Sequence, residues 1–342
     1  QIGRVVDDQI YLLDGLRDPV QLGAGLTRDR RLDRATQLRA LDALSRFSER
    51  LRGFPKSAVR VVGTNALRVA RNAEQFLAEA ERVLGFPVEV VFGKEEARLI
   101  YLGVAHSLPV SAHGRLVVDV GGGSTEFIIG AGLKPELMES VSMGCVSFSL
   151  RFFPQGSLEK ACFNRAELAA ANEMERLVKP FRRTGWAQAV ASSGTARTVA
   201  SLLSALGWGE NGISAQGLER LRSHLIKAGS TTALRLPDIR EDRQRMLAGG
   251  VAILTAIFSE LGIDSMEVSD SALRQGVLYD LLGRAQHHDP REATVNNFQR
   301  RYHVDELQSD RVSTLAERLH AQIAADPVEE DLLVLHWAAA LH

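Results

Sequence analysis

"VVDVGGGSTEFIIG", residues Val117–Gly130, decides how this chain folds. An apolar run closes on Asp119. Gly121, Gly122, Gly123, Ser124 and Thr125 follow, and Glu126 opens a second apolar run. A Rossmann fingerprint runs strand, G-x-G-x-x-G, helix. Here the residues after the glycines are aromatic and β-branched, so a strand follows instead. A Walker loop needs a lysine after its last glycine, and there is none. The segment therefore reads as a strand–loop–strand hairpin. One reading makes the glycines a plain tight turn. The other makes them an anion cradle, because consecutive glycines let backbone amides converge on a phosphate while Ser124 and Thr125 add hydroxyl donors. The hairpin should bring Asp119 and Glu126 to one rim. Two carboxylates repel phosphate unless a divalent cation lies between them, and Mg²⁺ is held by one or two carboxylates with phosphate oxygens and water. Asp119 and Glu126 are thus candidate Mg²⁺ ligands.

Working outward, strands and helices alternate. Leu32 to Arg52 carries apolar residues at helical spacing, Ala58–Thr64 reads as a strand, and "NALRVARNAEQFLAEAERVLG" as one helix stopped by Gly85 and Pro87. "VEVVFG" is a strand and "KEEARLIYLGVAHSL" a helix. A second round begins at Arg115 with strands "RLVVDV", "EFIIG" and "LKPELMESVSMG", helices across Val146–Phe153 and Arg165–Phe181, the strand "AQAVASS", a helix from Ala196 to Leu206, and finally "DSMEVSD" and "SALRQGVLYDLLGR". This order predicts an α/β architecture with a mainly parallel sheet. After about residue 290 the pattern turns wholly helical. "QIGRVVDDQIYLL" reads as a strand already in progress and "DLLVLHWAAALH" as an apolar helical run, so both ends look cut from a longer protein.

Composition narrows the classes. The 342 residues are 45% hydrophobic and 24% charged, as in ordinary soluble proteins. No 18-residue apolar run and no secretory leader is visible, so no transmembrane segment is expected, with peripheral membrane association left open. Cys145 and Cys162 lack metal-ligand spacing, which favours a reducing cytoplasm. The net charge of −1 gives no bulk attraction for nucleic acid, so an anionic partner needs a local site.

A second local site is "AVASSGTARTVA", where a strand turns through Ser193, Gly194 and Thr195 into a helix. Helix-start amides bind anions, although an ordinary hydroxyl N-cap explains the same residues. Two such loops facing each other suit a substrate with several phosphates. Glu95 and Glu96 open a helix, where acids suit the dipole or orient a water. Arg68 and Arg71 lie three apart on an expected helical face, where a guanidinium clamps phosphate bidentately. Arg28, Arg30, Arg31 and Arg34 read as a solvated basic face, and Gly249 with Gly250 as a helix-packing pair.

In this order, "VVGTNALRVARN", "GKEEARLIYLGV", "VVDVGGGSTEF", "ASSGTARTVA" and "SDSALRQGVLYD" resemble the exopolyphosphatase / guanosine pentaphosphate phosphohydrolase family over roughly Ile2 to His342. The resemblance implies an actin-like ATPase (ribonuclease H-like) fold, with two α/β lobes at 1–113 and 114–290 around a cleft, and the start of an all-helical HD-like domain at 291–342. It implies that Glu96 activates water and that Asp119 positions Mg²⁺. Glu126 becomes the second acid of the loop, and Arg68 serves catalysis and phosphate contact. Gly121, Gly122, Gly123, Ser124 and Thr125 become the first phosphate loop, and Ser193, Gly194 and Thr195 the second, with Arg274 near the substrate. The family's N-terminal D-x-G-S-N-S hairpin is absent and would precede Gln1. The expected activity is Mg²⁺-dependent release of orthophosphate from inorganic polyphosphate. The alternatives are the 5′-phosphohydrolase acting on guanosine pentaphosphate (pppGpp), an actin-like phosphotransferase, and an inactive polyphosphate or alarmone sensor. A homodimer is expected as well.

Overall fold

The computed structural model describes residues 1–6, 9–27, 29–109, 114–209, 212–237, 239–286, 299, 304–323 and 329–341. Gln1–Asp280 and Leu281–His342 form two compact units. The second contains helices α11 (Glu306–Ile323) and α12 (Glu329–Ala339). The boundary expected near residue 290 and Arg28 both lie outside the described residues.

The frame of the first unit is a six-stranded sheet in the order β7-β6-β5-β8-β10-β9. Its strands are β5 (Arg115–Val120), β6 (Thr125–Ala131), β7 (Lys134–Val141), β8 (Gln188–Ser192), β9 (Ile213–Ser214) and β10 (Ser265–Val268). β8 runs parallel to β5 and to β10, while β5–β6, β6–β7 and β9–β10 are antiparallel. The sheet is therefore mixed, not mainly parallel. The links from β5 to β6 and from β6 to β7 are too short for the dozen or more residues a parallel crossover requires. A meander of three strands followed by parallel β8 and β10 is the arrangement of the actin-like ATPase fold, as expected.

β5 is buried at every position, and β6 at all but its last. Strand alternation splits their side chains between two cores. Leu116, Val118, Val120, Phe127 and Ile129 meet helices α6 (Lys160–Thr184) and α9 (Glu241–Leu261) in the main core. Val117, Ile128 and Val190 meet Ala97, Ile100, Tyr101 and Val104 of α4 (Gly93–Ser107). Glycines at three positions let helices cross closely. A Cβ on Gly249 would fall 2.6 Å from Cys145 O, and one on Gly250 2.5 Å from Thr195 Cγ2, which bears out the packing reading of that pair. A Cβ on Gly276 of α10 (Leu273–Gln286) would lie 1.7 Å from Leu99 O.

The smaller lobe carries α1 (Arg34–Leu51), the hairpin β1 (Ile2–Val6)–β2 (Gln9–Asp14) and the parallel pair β3 (Val62–Gly63)–β4 (Glu89–Val90). The opening segment is thus a hairpin where one strand was expected. The single helix expected after Thr64 is broken into α2 (Asn65–Val69) and α3 (Ala73–Leu84). Between them buried Asn72 accepts from Leu32 N at 2.8 Å and donates to Leu32 O at 3.0 Å, and Arg71 N donates to Arg30 O at 2.7 Å. These long-range bonds override helix propensity, so Arg68 and Arg71 do not share a helical face. No described helix is long and apolar enough to cross a membrane.

Gly276→Ala forces a methyl into the Leu99 carbonyl. It should destabilise the protein by about 1–3 kcal/mol, measured as a lower urea midpoint with unchanged m-value.

Candidate functional site

Register builds the site. Asp119 pairs directly with Glu126 across the β5–β6 hairpin and with Ser192 of parallel β8. Directly opposed residues share a face, and this face is the one that packs on α4, whose first turn supplies Glu96. All three acids are at least nine-tenths buried. Burial lifts Asp119 to about 6, helped by the charge of Glu96 and opposed by a hydrogen bond from Ser192 and by Arg197. Burial also lifts Glu126, to about 8, with Glu96 and Asp119 adding repulsion and Ser124 and Ser140 opposing it. Ser140 Oγ donates to Glu126 Oε1 at 2.8 Å. Glu96 too is raised by burial, against the pull of Arg68. Arg68 Nη1 donates to Glu96 Oε2 at 2.6 Å and to Val91 O at 2.8 Å. Among the described residues no group of three or more His, Cys, Asp or Glu is arranged to hold a metal alone.

The glycine loop is closed by Gly121 N donating to Ser124 O at 2.9 Å, which leaves Gly122 and Gly123 at the tip. None of these three glycines adopts positive φ. They serve close approach instead. A Cβ on Gly123 would fall 2.3 Å from Asn65 Oδ1, and one on Gly144 2.3 Å from Gly123 N. The loop's carbonyls are held by the start of α5 (Cys145–Phe152). Cys145 N donates to Gly121 O at 2.9 Å, and Val146 N and Ser147 N donate to Gly122 O at 3.0 and 3.2 Å. Among the described residues the amides of Gly122 and Gly123 have no acceptor. Carbonyls fixed and amides unspent make an anion cradle. Thr125 behaves differently from expectation: its hydroxyl donates to Met143 O at 2.7 Å, so it pins the strand rather than offering its proton to phosphate.

The second loop lies beside the first, at the end of β8, through the Asp119–Ser192 pairing. It is a neighbour on one sheet edge and does not face the first loop across a gap. Helix α7 (Ser193–Ala205) begins three residues earlier than expected. Ser193 has φ 103, a conformation that costs a side-chain-bearing residue about 1–3 kcal/mol. Its Oγ accepts from Ala196 N at 3.1 Å. Thr195 hydrogen-bonds buried Cys145 and so ties the two loops' supports together. Opposite the first loop, Thr64, Asn65 and Leu67 line a cavity of about 440 Å³ shared with Gly122 and Gly123.

Arg274 lies among other cations. Desolvation, then the charges of Arg17 and Arg197, pull its guanidinium below its ordinary value. Sequence reasoning missed Arg243 of α9. Its guanidinium lies over Gly194, 2.9 Å from where a Cβ would stand, and no local motif marks it. Glu95 belongs to a different cluster: Arg98 bonds it at 2.8 Å and also pairs with Asp280, which takes Arg60 at 2.6 Å. Arg34 pairs with Glu79 on the surface, as a solvated face should.

An actin-like lobe with an amide-lined hairpin, ringed by buried acids, defines a phosphate-handling protein. Family models say which one: the "Ppx/GppA phosphatase family" model matches residues 1–285, and its "domain III" model residues 291–342. The chain belongs to the Ppx/GppA phosphatase family. It is similar to an exopolyphosphatase from Cytophaga hutchinsonii, at 26% identity over 82% of this chain and 93% of that one, with a TM-score of 0.72. It is also similar to the PPX-GPPA enzyme of Aquifex aeolicus, at 25% identity over 81% and 93%, with a TM-score of 0.67. An exopolyphosphatase-like protein at 23% identity, over 84% and 94% with a TM-score of 0.74, shares the fold.

The raised acids predict a pH signature. A carboxyl whose folded pKa is raised stabilises the fold fully below the ordinary range near pH 4, and loses that contribution as pH climbs through the folded value. With chelator present, the Tm should therefore fall as pH rises through about 6 and about 8, the values of Asp119 and Glu126. Glu126→Gln should flatten the upper part of the fall. A Tm that rises across this window would contradict the assignment.

Proposed function

We propose that this chain hydrolyses the terminal phosphoryl group of inorganic polyphosphate and releases orthophosphate. The observation that carries this reading is the meeting of Glu96, Asp119 and Glu126 on one sheet face beside the unspent amides of Gly122 and Gly123. The likeness to the Cytophaga hutchinsonii exopolyphosphatase supports it. The glycine pair 249–250, which a phosphotransferase would need for a nucleoside, is consumed by helix packing.

The donor set fits Mg²⁺. Asp119 and Glu126 are paired across the hairpin, and their raised pKa values mark a site short of positive charge. They form no complete cage, which suits an ion that takes its remaining ligands from phosphate and water. When bound, Mg²⁺ would neutralise phosphoryl charge. The chain's own residues do the rest. Phosphoryl transfer passes through a loose transition state that needs positioning and electrostatic stabilisation more than covalent chemistry. The Gly122 and Gly123 amides hold phosphoryl oxygens, and Ser193 and Gly194 receive the adjoining phosphate. Glu96, fixed by the Arg68 bond, accepts the proton of the attacking water. A carboxylate raised toward neutrality is a better base than a free one.

Glu96→Gln should lower kcat by ~10²–10⁴-fold with substrate binding retained. Near-normal turnover in a phosphate-release assay would refute the role of Glu96. Activity should vanish in chelator and return on addition of Mg²⁺. The pppGpp reading is tested in the same assay by comparing kcat/KM for long-chain polyphosphate and pppGpp.

A further inference from the structure

A second cluster of charges lies beside the candidate site and takes no part in the proposed chemistry. Its hub is Arg60, whose side chain is only 5% exposed. The Arg60 guanidinium donates to Glu89 at 3.0 and 3.1 Å and to Asp280 at 2.6 Å, and stands 3.7 Å from Glu95. Arg98 forks onto Glu95 through two bonds of 2.8 Å and also bonds Asp280. These five side chains join the segment before β3, the strand β4, the start of α4 and the helix α10. A buried ion network adds little stability over apolar packing, and its best-attested use is to specify one arrangement. The element specified here is the start of α4.

That start lacks a local cap, since Phe92 at the N-cap gives the helix no side-chain hydrogen bond. Further along, α4 meets α10 through glycines. A Cβ on Gly103 would fall 2.2 Å from Ala272 O, so backbone meets backbone with no side-chain ridge between them to set the angle. Glu95 and Glu96 are consecutive, and about 100° separates consecutive residues around a helix. Holding Glu95 on Arg98 and Arg60 therefore turns Glu96 toward Arg68 and the acid face. The same network grips β4 at Glu89, two residues before Val91, whose carbonyl accepts the other bond from Arg68. Both acceptors of the Arg68 clamp are thus tied to Arg60. We propose that Arg60, with Asp280, is a positioning residue: its network sets the rotation of α4 that holds Glu96 against Arg68 and the Asp119–Glu126 pair. Neither residue touches the reacting atoms. The kinetic consequence rests on the reading of Glu96 as the base, and the structural consequence does not.

Steady-state phosphate release by the full chain tests this. Arg60→Met keeps much of the side chain's bulk and removes its charge. It should lower kcat about 10–100-fold, as misplacement of a reacting group does, with KM changed less than about threefold. Arg60→Lys keeps the charge without the fork and should recover part of the loss. On the Glu96→Gln background, Arg60→Met should cost less than about a further twofold, because it acts through Glu96. Arg222→Met breaks the Arg222–Glu167 pair on the α6 side of the sheet and should leave kcat unchanged. If Arg60→Met does not fold, Asp280→Asn is read in the same way, with an expected loss of about tenfold. A crystal structure of the folded variant should show the Arg68–Glu96 bond, 2.6 Å in the native chain, opened beyond hydrogen-bond reach. A native kcat, a loss that adds in full to that of Glu96→Gln, an equal loss in Arg222→Met, or an unmoved Arg68–Glu96 bond overturns the proposal. Near-normal turnover of Glu96→Gln alone would refute the base reading, and the position of the Arg68–Glu96 bond would then decide the proposal.

Discussion

The pairing of Asp119 with Glu126 is the constraint on which the rest of the molecule depends. A hairpin with a two-residue tip makes these acids direct neighbours, and burial on both faces of β5 and β6 removes the water that would screen them. Left to itself this arrangement is unfavourable, since buried like charges are resolved by proton uptake. The fold tolerates it because most of the remaining strand positions are apolar and packed from both sides, by α4 on one face and by α6 and α9 on the other. Glu96 tightens the constraint. It arrives on the same face with one cation, Arg68, bonded to it. The acids are therefore poised to bind positive charge, and their local instability is what a metal–phosphate complex would relieve.

Rigidity around the acids comes from spending polar groups elsewhere. The first turn of α5 donates three amides to the carbonyls of Gly121 and Gly122, and Thr125 spends its hydroxyl on Met143. What remains unspent, the Gly122 and Gly123 amides, points to function by elimination. The strain at Ser193 belongs to the same economy. Its positive φ turns the chain directly from β8 into α7, so that the second loop stays level with the first.

Much of this was legible in the sequence wherever chemistry is local. Strand–glycine–strand order, the shared rim of Asp119 and Glu126, and Glu96 in the first turn of a helix all follow from period and spacing. Contacts between distant segments were not. Asn72 breaks the expected helix by bonding Leu32, forty positions away, and no local propensity reports that. The glycines read as a tight turn or an anion cradle, yet Gly123 is required also because Asn65 occupies the space of its side chain. Arg243 carries no motif because its role depends on α9 crossing α7, a packing event written in Gly250 and Thr195 rather than around the arginine itself. The mainly parallel sheet failed for a topological reason: short β5–β6 and β6–β7 links permit only antiparallel return.

A net charge of −1 conceals a sharp internal segregation. At the end of β5 three acids crowd one face, and beyond Gly194 four arginines line one cavity. The acids are buried and weakly screened, whereas the arginines are exposed or half-buried and meet solvent and salt, so the stronger local field lies at the acid face. A uniformly charged polyanion would be drawn lengthwise to the arginine pole and repelled from the acid pole at every point except where a cation intervenes. Only its end needs to carry that cation. Segregated charge of this kind would favour an anion that approaches the acids end-on, with its charge neutralised there by a cation.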